Sequence, residues 1–127
     1  MAAPNIVSVT TIRGKSNVAN VTTVSSAVIV NDMNSGKVFK VNTLIVSNVD
    51  GTNAGNVSVE LFKFGAQNAS TGLGNTTYAI ANVISVPAKS TLDILSKPLY
   101  LEEGDQIKVK ADSNNRLNFV SSFEEIS

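Results

Sequence analysis

Neither cysteine nor histidine occurs among the 127 residues of this chain. The first absence removes disulfides, thiolate nucleophiles and cysteine-based zinc sites together. The second removes the commonest general base and the commonest transition-metal ligand. Stability must then come from core packing or from assembly with other chains, and the enzymatic repertoire is sharply narrowed. Long apolar runs are missing too. The apolar share is 43%, but it is dispersed in short runs such as Ala27-Val28-Ile29-Val30, against the roughly 20 residues a bilayer-spanning helix needs. No membrane partner is expected. Met1-Ala2-Ala3-Pro4-Asn5 has neither the basic opening nor the apolar stretch of a secretory signal, so the expectation is synthesis and folding in a cytoplasm. Charge of one sign is not in excess either. Ten basic and ten acidic residues cancel and are scattered, leaving no basic face to displace counterions, so nucleic acid is not an expected partner.

What is present is the vocabulary of strands and turns. Val, Ile and Thr fill the runs, while Asn, Ser, Gly and Asp fill the gaps, and apolar residues in helical spacing are absent. The clearest alternation is Gln106 to Ala111, with Ile107, Val109 and Ala111 on one face and Gln106, Lys108 and Lys110 on the other. After the turn Asp112-Ser113-Asn114-Asn115 the run from Leu117 to Phe123 alternates again, which predicts a C-terminal hairpin. Lys37 to Val49 is the longest extended segment. It puts Phe39, Val41, Thr43 and Ile45 on one face and Leu44 and Val46 on the other, so it reads as a central strand or one covered by another subunit. The turn Asp50 to Gly55 then leads into Val57 to Leu61, predicting a second hairpin.

Further strands are expected from about Thr77 to Val86, with Tyr78, Ile80, Ile84 and Val86 in step and Pro87 as the stop, then at Thr91 to Leu95 and Pro98 to Leu101. Upstream, Ile6 to Ile12 and Ala27 to Val30 read as strands around a less regular stretch through Val18, Val21 and Val24. About eight short strands without helices predict one all-β domain over residues 1–127, an antiparallel β-sandwich of jelly-roll or immunoglobulin-like type. Residues 1–24 are a candidate extended N-terminal arm that adds a strand to a neighbour's sheet edge. The small, polar stretch Gly65 to Asn75 reads as a surface loop.

Candidate chemistry is sparse. Glu102-Glu103-Gly104-Asp105 is the densest acidic cluster, but its place between two strands makes it an ordinary solvated connection rather than a hard-cation site. Asp50-Gly51-Thr52-Asn53 and Asp112-Ser113-Asn114-Asn115 lack the glutamate of a calcium loop and read as turns. Pairs such as Asp93 with Glu102 or Glu60 have nothing that fixes a glycosidase separation, and no nucleophile elbow or Ser-x-x-Lys motif accompanies the serines. No catalytic residue, metal ligand or cofactor is therefore assigned. Phe62, Phe64 and Tyr78 form a candidate stacking platform for sugars or bases, set against the plainer reading of core or interface aromatics.

The run from Gly36 to Asn53, with Ser85 to Leu92, Leu99 to Asp105, Pro4-Asn5-Ile6-Val7 and Phe123-Glu124-Glu125-Ile126, resembles small virion proteins of tailed bacteriophages, especially those of marine cyanobacteria. The resemblance implies a non-enzymatic β-sandwich subunit repeated in the neck or tail, or a capsid decoration protein, with itself and other virion proteins as partners. The interface residues expected on this reading are Ile6, Val7, Val9, Phe39, Leu44, Val46, Phe64, Phe119 and Phe123. Core burial is expected for Ile45 and an interface role for Leu44. The rival from another class is a carbohydrate-binding or adhesin module on the same fold.

Overall fold

The structure, a computed structural model, describes residues 11–65 and 76–127. They form nine strands: β1 (Ile12–Val21), β2 (Ser26–Val30), β3 (Val38–Asn48), β4 (Gly55–Lys63), β5 (Thr76–Val86), β6 (Thr91–Asp93), β7 (Leu99–Leu101), β8 (Gln106–Ala111) and β9 (Leu117–Ile126). One sheet has the order β1-β9-β3-β6, with β7 also on β3, and the other has the order β2-β8-β4-β5. Strands β6 and β7 lie on successive stretches of β3, Ile45–Ser47 and Phe39–Val41, so together they act as one interrupted edge strand. Pro98, between them, has no N–H to give the ladder. Eight strand positions in two antiparallel sheets, with the chain passing back and forth between them, make a jelly roll.

That passage corrects both expected hairpins. Strand β3 lies in one sheet and β4 in the other, and β8 and β9 are likewise divided. The segments 49–54 and 112–116 are arches that step across the roughly 10 Å between packed sheets, and each is fixed by its acidic residue. Asp50 Oδ1 accepts the N–H groups of Thr52 and Asn53 at 2.7 and 3.0 Å, while Asp112 Oδ1 accepts the N–H of Asn56 at 3.0 Å. Alternation tells which side chains turn inward but not which strand lies alongside. Among the described strands, β4 and β5 alone are consecutive and paired.

The core is built from Val, Ile, Leu and Phe of both sheets, with Phe39 and Phe123 stacked at 5.2 Å between ring centroids. Strand β8 alternates as expected, its Ile107, Val109 and Ala111 buried. Strand β3 does not keep one parity. Its pairing with β9 advances from Val41↔Phe123 to Thr43↔Ser122, leaving Asn42 as one extra residue. Phe39 and Val41 point inward before this bulge, and Leu44, Val46 and Asn48 after it. The apolar residues assigned to two faces thus serve one core. Leu44 is fully buried while Ile45 lies on the outward side, the reverse of the expected roles.

Strand β5 departs from its simple pattern for the same reason. Register shifts opposite Val57–Val59 and Val59–Glu60 leave Tyr78 and Ile84 exposed, with Ile80, Ala81 and Val86 toward the core. Val83, in the first shift, has φ of 53°, a conformation uncommon for a β-branched residue. The stretch read as irregular through Val18 and Val21 is β1, in ten-residue register with β9 from Ile12↔Ile126 to Val21↔Leu117. Residues 12–21 of the expected arm therefore belong to the chain's own sheet, while residues 1–10 lie outside the described residues.

Candidate functional site

Five of the expected interface residues, Phe39, Leu44, Val46, Phe119 and Phe123, are buried within a single chain, at 6% exposure or less. They are core residues and are closed to a partner. The bulge at Asn42 explains Leu44 and Val46, and the inward parity of β9 explains Phe119 and Phe123. Phe64 is half-buried just beyond β4. Ile6, Val7 and Val9 lie outside the described residues, as does all but Gly65 of the expected loop.

The acidic connection between β7 and β8 is not a solvated turn. Glu103 and Asp105 are buried, and Asp105 is completely enclosed. Its Oδ1 accepts the N–H of Phe64 at 3.0 Å, and its Oδ2 accepts the N–H of Glu102 at 2.9 Å and Lys63 Nζ at 2.7 Å. Lys63 also donates to Glu102 Oε1 at 3.0 Å. Beside them Asn31 Nδ2 donates to the carbonyls of Lys37 and Leu101, while its Oδ1 accepts from Ser35 Oγ. Glu103 Oε2 accepts the N–H of Gly36. Burial pushes the Lys63 ammonium down, but hydrogen bonds and charge from Asp105 and Glu102 outweigh it and hold the group above its ordinary value. A nucleophilic lysine needs the opposite shift. This cluster ties the β2–β3 loop, the end of β4 and the β7–β8 turn together, and its Lys63 and Asp105 are engaged with each other and with Glu102 and the backbone N–H groups of Phe64 and Glu102.

On the outer face of the first sheet, the register aligns residues in transverse rows. Val18, Val120 and Ile45 form an apolar row ending at Asp93, between Asn20-Asn118-Ser47-Thr91 and Ser16-Ser122-Thr43. Ser47 Oγ and Thr91 Oγ1 are hydrogen-bonded at 3.2 Å. Val18 is 75% exposed and Val120 40%. Ten of the eleven side chains are uncharged, seven of them Ser, Thr or Asn whose polar groups a partner would have to satisfy, and Val18, Asn20, Asn118 and Val120 line an open depression of about 410 Å³. Period-two patterning marked the outward positions of β9, but the bulge hid those of β3, and the alignment depends on a register that no single strand encodes.

The opposite face carries the aromatic residues. Phe62 lies in a row with Val30, Gln106 and Thr77, and Lys108 Nζ stands 5.0 Å from its ring centroid. With Phe64, Met33 and Gly104 it lines an open groove of about 330 Å³. Tyr78 registers with the inward-turning Leu61 instead, so the structure brings together two of the three aromatics proposed as a platform. Gly104 has φ of +89°, and a Cβ there would meet Phe64 at 2.6 Å. Only glycine fits this close approach.

No protein-family model matches this sequence, and no curated protein matches it. Among solved structures, a chain of Bacillus endospore appendages, a family of disulfide-linked pili, aligns with a TM-score of 0.49 and 12% identity over 99% of this chain and 95% of that one. A chain of infectious bursal disease virus, Gx strain, aligns with a TM-score of 0.48 and 8% identity over 94% of this chain and 33% of that one. Neither likeness is close enough to bear on function. Disulfide linkage is in any case closed to a chain without cysteine. Among the described residues, no three His, Cys, Asp or Glu side chains gather in a way that could hold a metal ion.

Proposed function

We propose that this chain is a repeated structural subunit of a bacteriophage virion, in the neck or tail or as a decoration (cement) protein on the capsid, made and assembled in the host cytoplasm. It works by shape and many weak contacts with copies of itself and with other virion proteins. The observation that carries this reading is the largely uncharged outer face, where exposed Val18 and Val120 adjoin half-buried Ile45 between rows of Ser, Thr and Asn, a mixture of apolar and hydrogen-bonding groups suited to contact with another protein. The engagement of Lys63 with two carboxylates supports a non-enzymatic role, and the resemblance of the Gly36–Asn53 and Leu99–Asp105 segments to phage virion proteins supports the setting. Mass spectrometry of purified particles tests it: the chain is expected in stoichiometric amount, and its absence overturns the reading.

The Phe62–Phe64 groove favours one second reading, a carbohydrate-binding or adhesin module. Aromatic side chains beside Asp32 and Gln106 combine a stacking surface with hydrogen-bonding groups. Glycan-array binding that disappears in Phe64→Ala would replace the structural reading with this one.

A further inference from the structure

Lys63 and Asp105 meet where β4 and β8 stop pairing. The register of the two strands runs to Phe62↔Gln106, so the next positions along them are Lys63 and Asp105, on the core side that Leu61 and Ile107 also occupy. Lys63 Nζ stands 2.7 Å from Asp105 Oδ2, with the Asp105 side chain wholly enclosed and that of Lys63 exposed at 17%. A buried ion pair needs no more than these two charges, yet three further groups converge on the same atoms. Glu102 Oε1 lies 3.0 Å from Nζ, and the N–H groups of Phe64 and Glu102 donate to Asp105 Oδ1 and Oδ2, one each, at 3.0 and 2.9 Å. The frame around them is braced. Asp105 N–H donates to the Glu102 carbonyl, Asn31 N–H to the Asp105 carbonyl and Gly104 N–H to the Asn31 carbonyl, while Phe64 packs against Gly104 too closely for a Cβ. An amine against a carboxyl group, a second carboxylate on the amine and an N–H donor on each carboxyl oxygen are the parts of an amide-forming reaction.

We propose that Lys63 and Asp105 join in an intramolecular isopeptide bond, formed once by each folded chain without an external catalyst. Burial opposes the Lys63 charge and its bonds to Asp105 and Glu102 sustain it, so the ion pair is the resting form. Passing a proton from Nζ to Asp105 Oδ2 across their 2.7 Å contact leaves a neutral amine and a neutral carboxylic acid, which removes both charges from an enclosed site. The amine lone pair attacks Cγ, forming the N–C bond. Charge develops on Oδ1, where the Phe64 N–H receives it. Glu102 Oε1 takes a proton from the attached nitrogen and returns it to the departing Oδ2 hydroxyl; the C–O bond breaks and water leaves. One ammonium and one carboxylate become one amide and one water, with no oxidant or cofactor consumed. Toward an outside substrate a lysine held as its ammonium is a poor nucleophile. Toward Asp105 the proton acceptor and the electrophile are one group, and orientation is already fixed. The bond bridges positions 42 residues apart, so in a chain without cysteine it restricts the unfolded state as a disulfide does.

The intact mass of the purified full-length chain, unfolded in guanidinium, reads the bond directly. Wild type is expected to be lighter by one water than its sequence requires. Trypsin is expected to leave Lys63 uncut and to release residues 41–89 joined to residues 90–108 as one branched peptide. Lys63→Arg is expected at full mass, without the branched peptide. Glu102→Gln alters a side chain that is 46% exposed, and is expected to fold by circular dichroism and to stay largely at full mass. A wild type at full mass, a water lost equally from Lys63→Arg, or a Glu102→Gln chain that links as completely as wild type would overturn the proposal. The wild-type mass decides the bond however the variants fold, and it is read without reference to whether the chain occurs in particles.

Discussion

At Leu44 and Ile45, two adjacent side chains of similar size meet opposite fates. Leu44 is enclosed and Ile45 faces outward beside Val120. Leu44→Asp buries a charge with no partner, a cost of several kcal/mol or more against a total stability of about 5–15 kcal/mol, and is expected to abolish folding. Ile45→Asp is expected to cost about 1 kcal/mol or less and to leave a folded chain; circular dichroism melts separate the two. Glu125 carries a pH signature. Burial pushes its carboxyl up, but Lys15 and Lys37 outweigh this through hydrogen bonds and charge, and its pKa lies below the ordinary 4.5. Because the folded value is depressed, its contribution is present above 4.5 and is lost as pH falls through the folded value. Glu125→Gln is expected to be less stable than wild type at neutral pH and to lose stability less steeply below about pH 4.5, read from urea midpoints across that range.

The bulge at Asn42 is the element-scale counterpart. Deleting Asn42 restores continuous pairing with β9 and leaves Phe39, Val41, Leu44, Val46 and Asn48 inward by simple alternation, because Thr43 then follows Val41 opposite Ser122. The deletion is therefore expected to yield a folded protein, as is Asn42→Ala, which keeps the extra residue; an unfolded or aggregated deletion product by circular dichroism and solubility would contradict this. This element also marks how far the sequence could be read. The alternations of β4 and β8 declared their inward residues without ambiguity, and all-β character with about eight strand positions was legible. The inward parity of β3 and β5 was not, because a bulge adds one residue without a distinctive motif. Strand neighbours were hidden for a related reason, since a turn rich in Asp, Asn and Gly closes a hairpin or arches between sheets with much the same residues. Asp105 and Glu103 were misread because their burial follows from Lys63, Asn31 and Gly36, which are distant in the chain. Of the outer face only the positions of β9 were legible, since Thr43 and Ile45 share the sequence parity of Phe39 and Val41.

Across the whole molecule the outermost partners in sequence are immediate neighbours in space. Strand β1 can complete its ladder only against β9, from Ile12↔Ile126 to Val21↔Leu117, and β9 in turn lies between β1 and β3. Every such pairing must close a loop of on the order of a hundred residues before any ladder energy is recovered. Refolding is therefore expected on the millisecond-to-second scale of non-local β topologies rather than in microseconds, which stopped-flow dilution from urea measures. During synthesis, the slot between β1 and β3 stays vacant until β9 has cleared the ribosome. A nascent chain thus exposes two waiting strands until β9 emerges, and those ten residues end its capacity to pair wrongly.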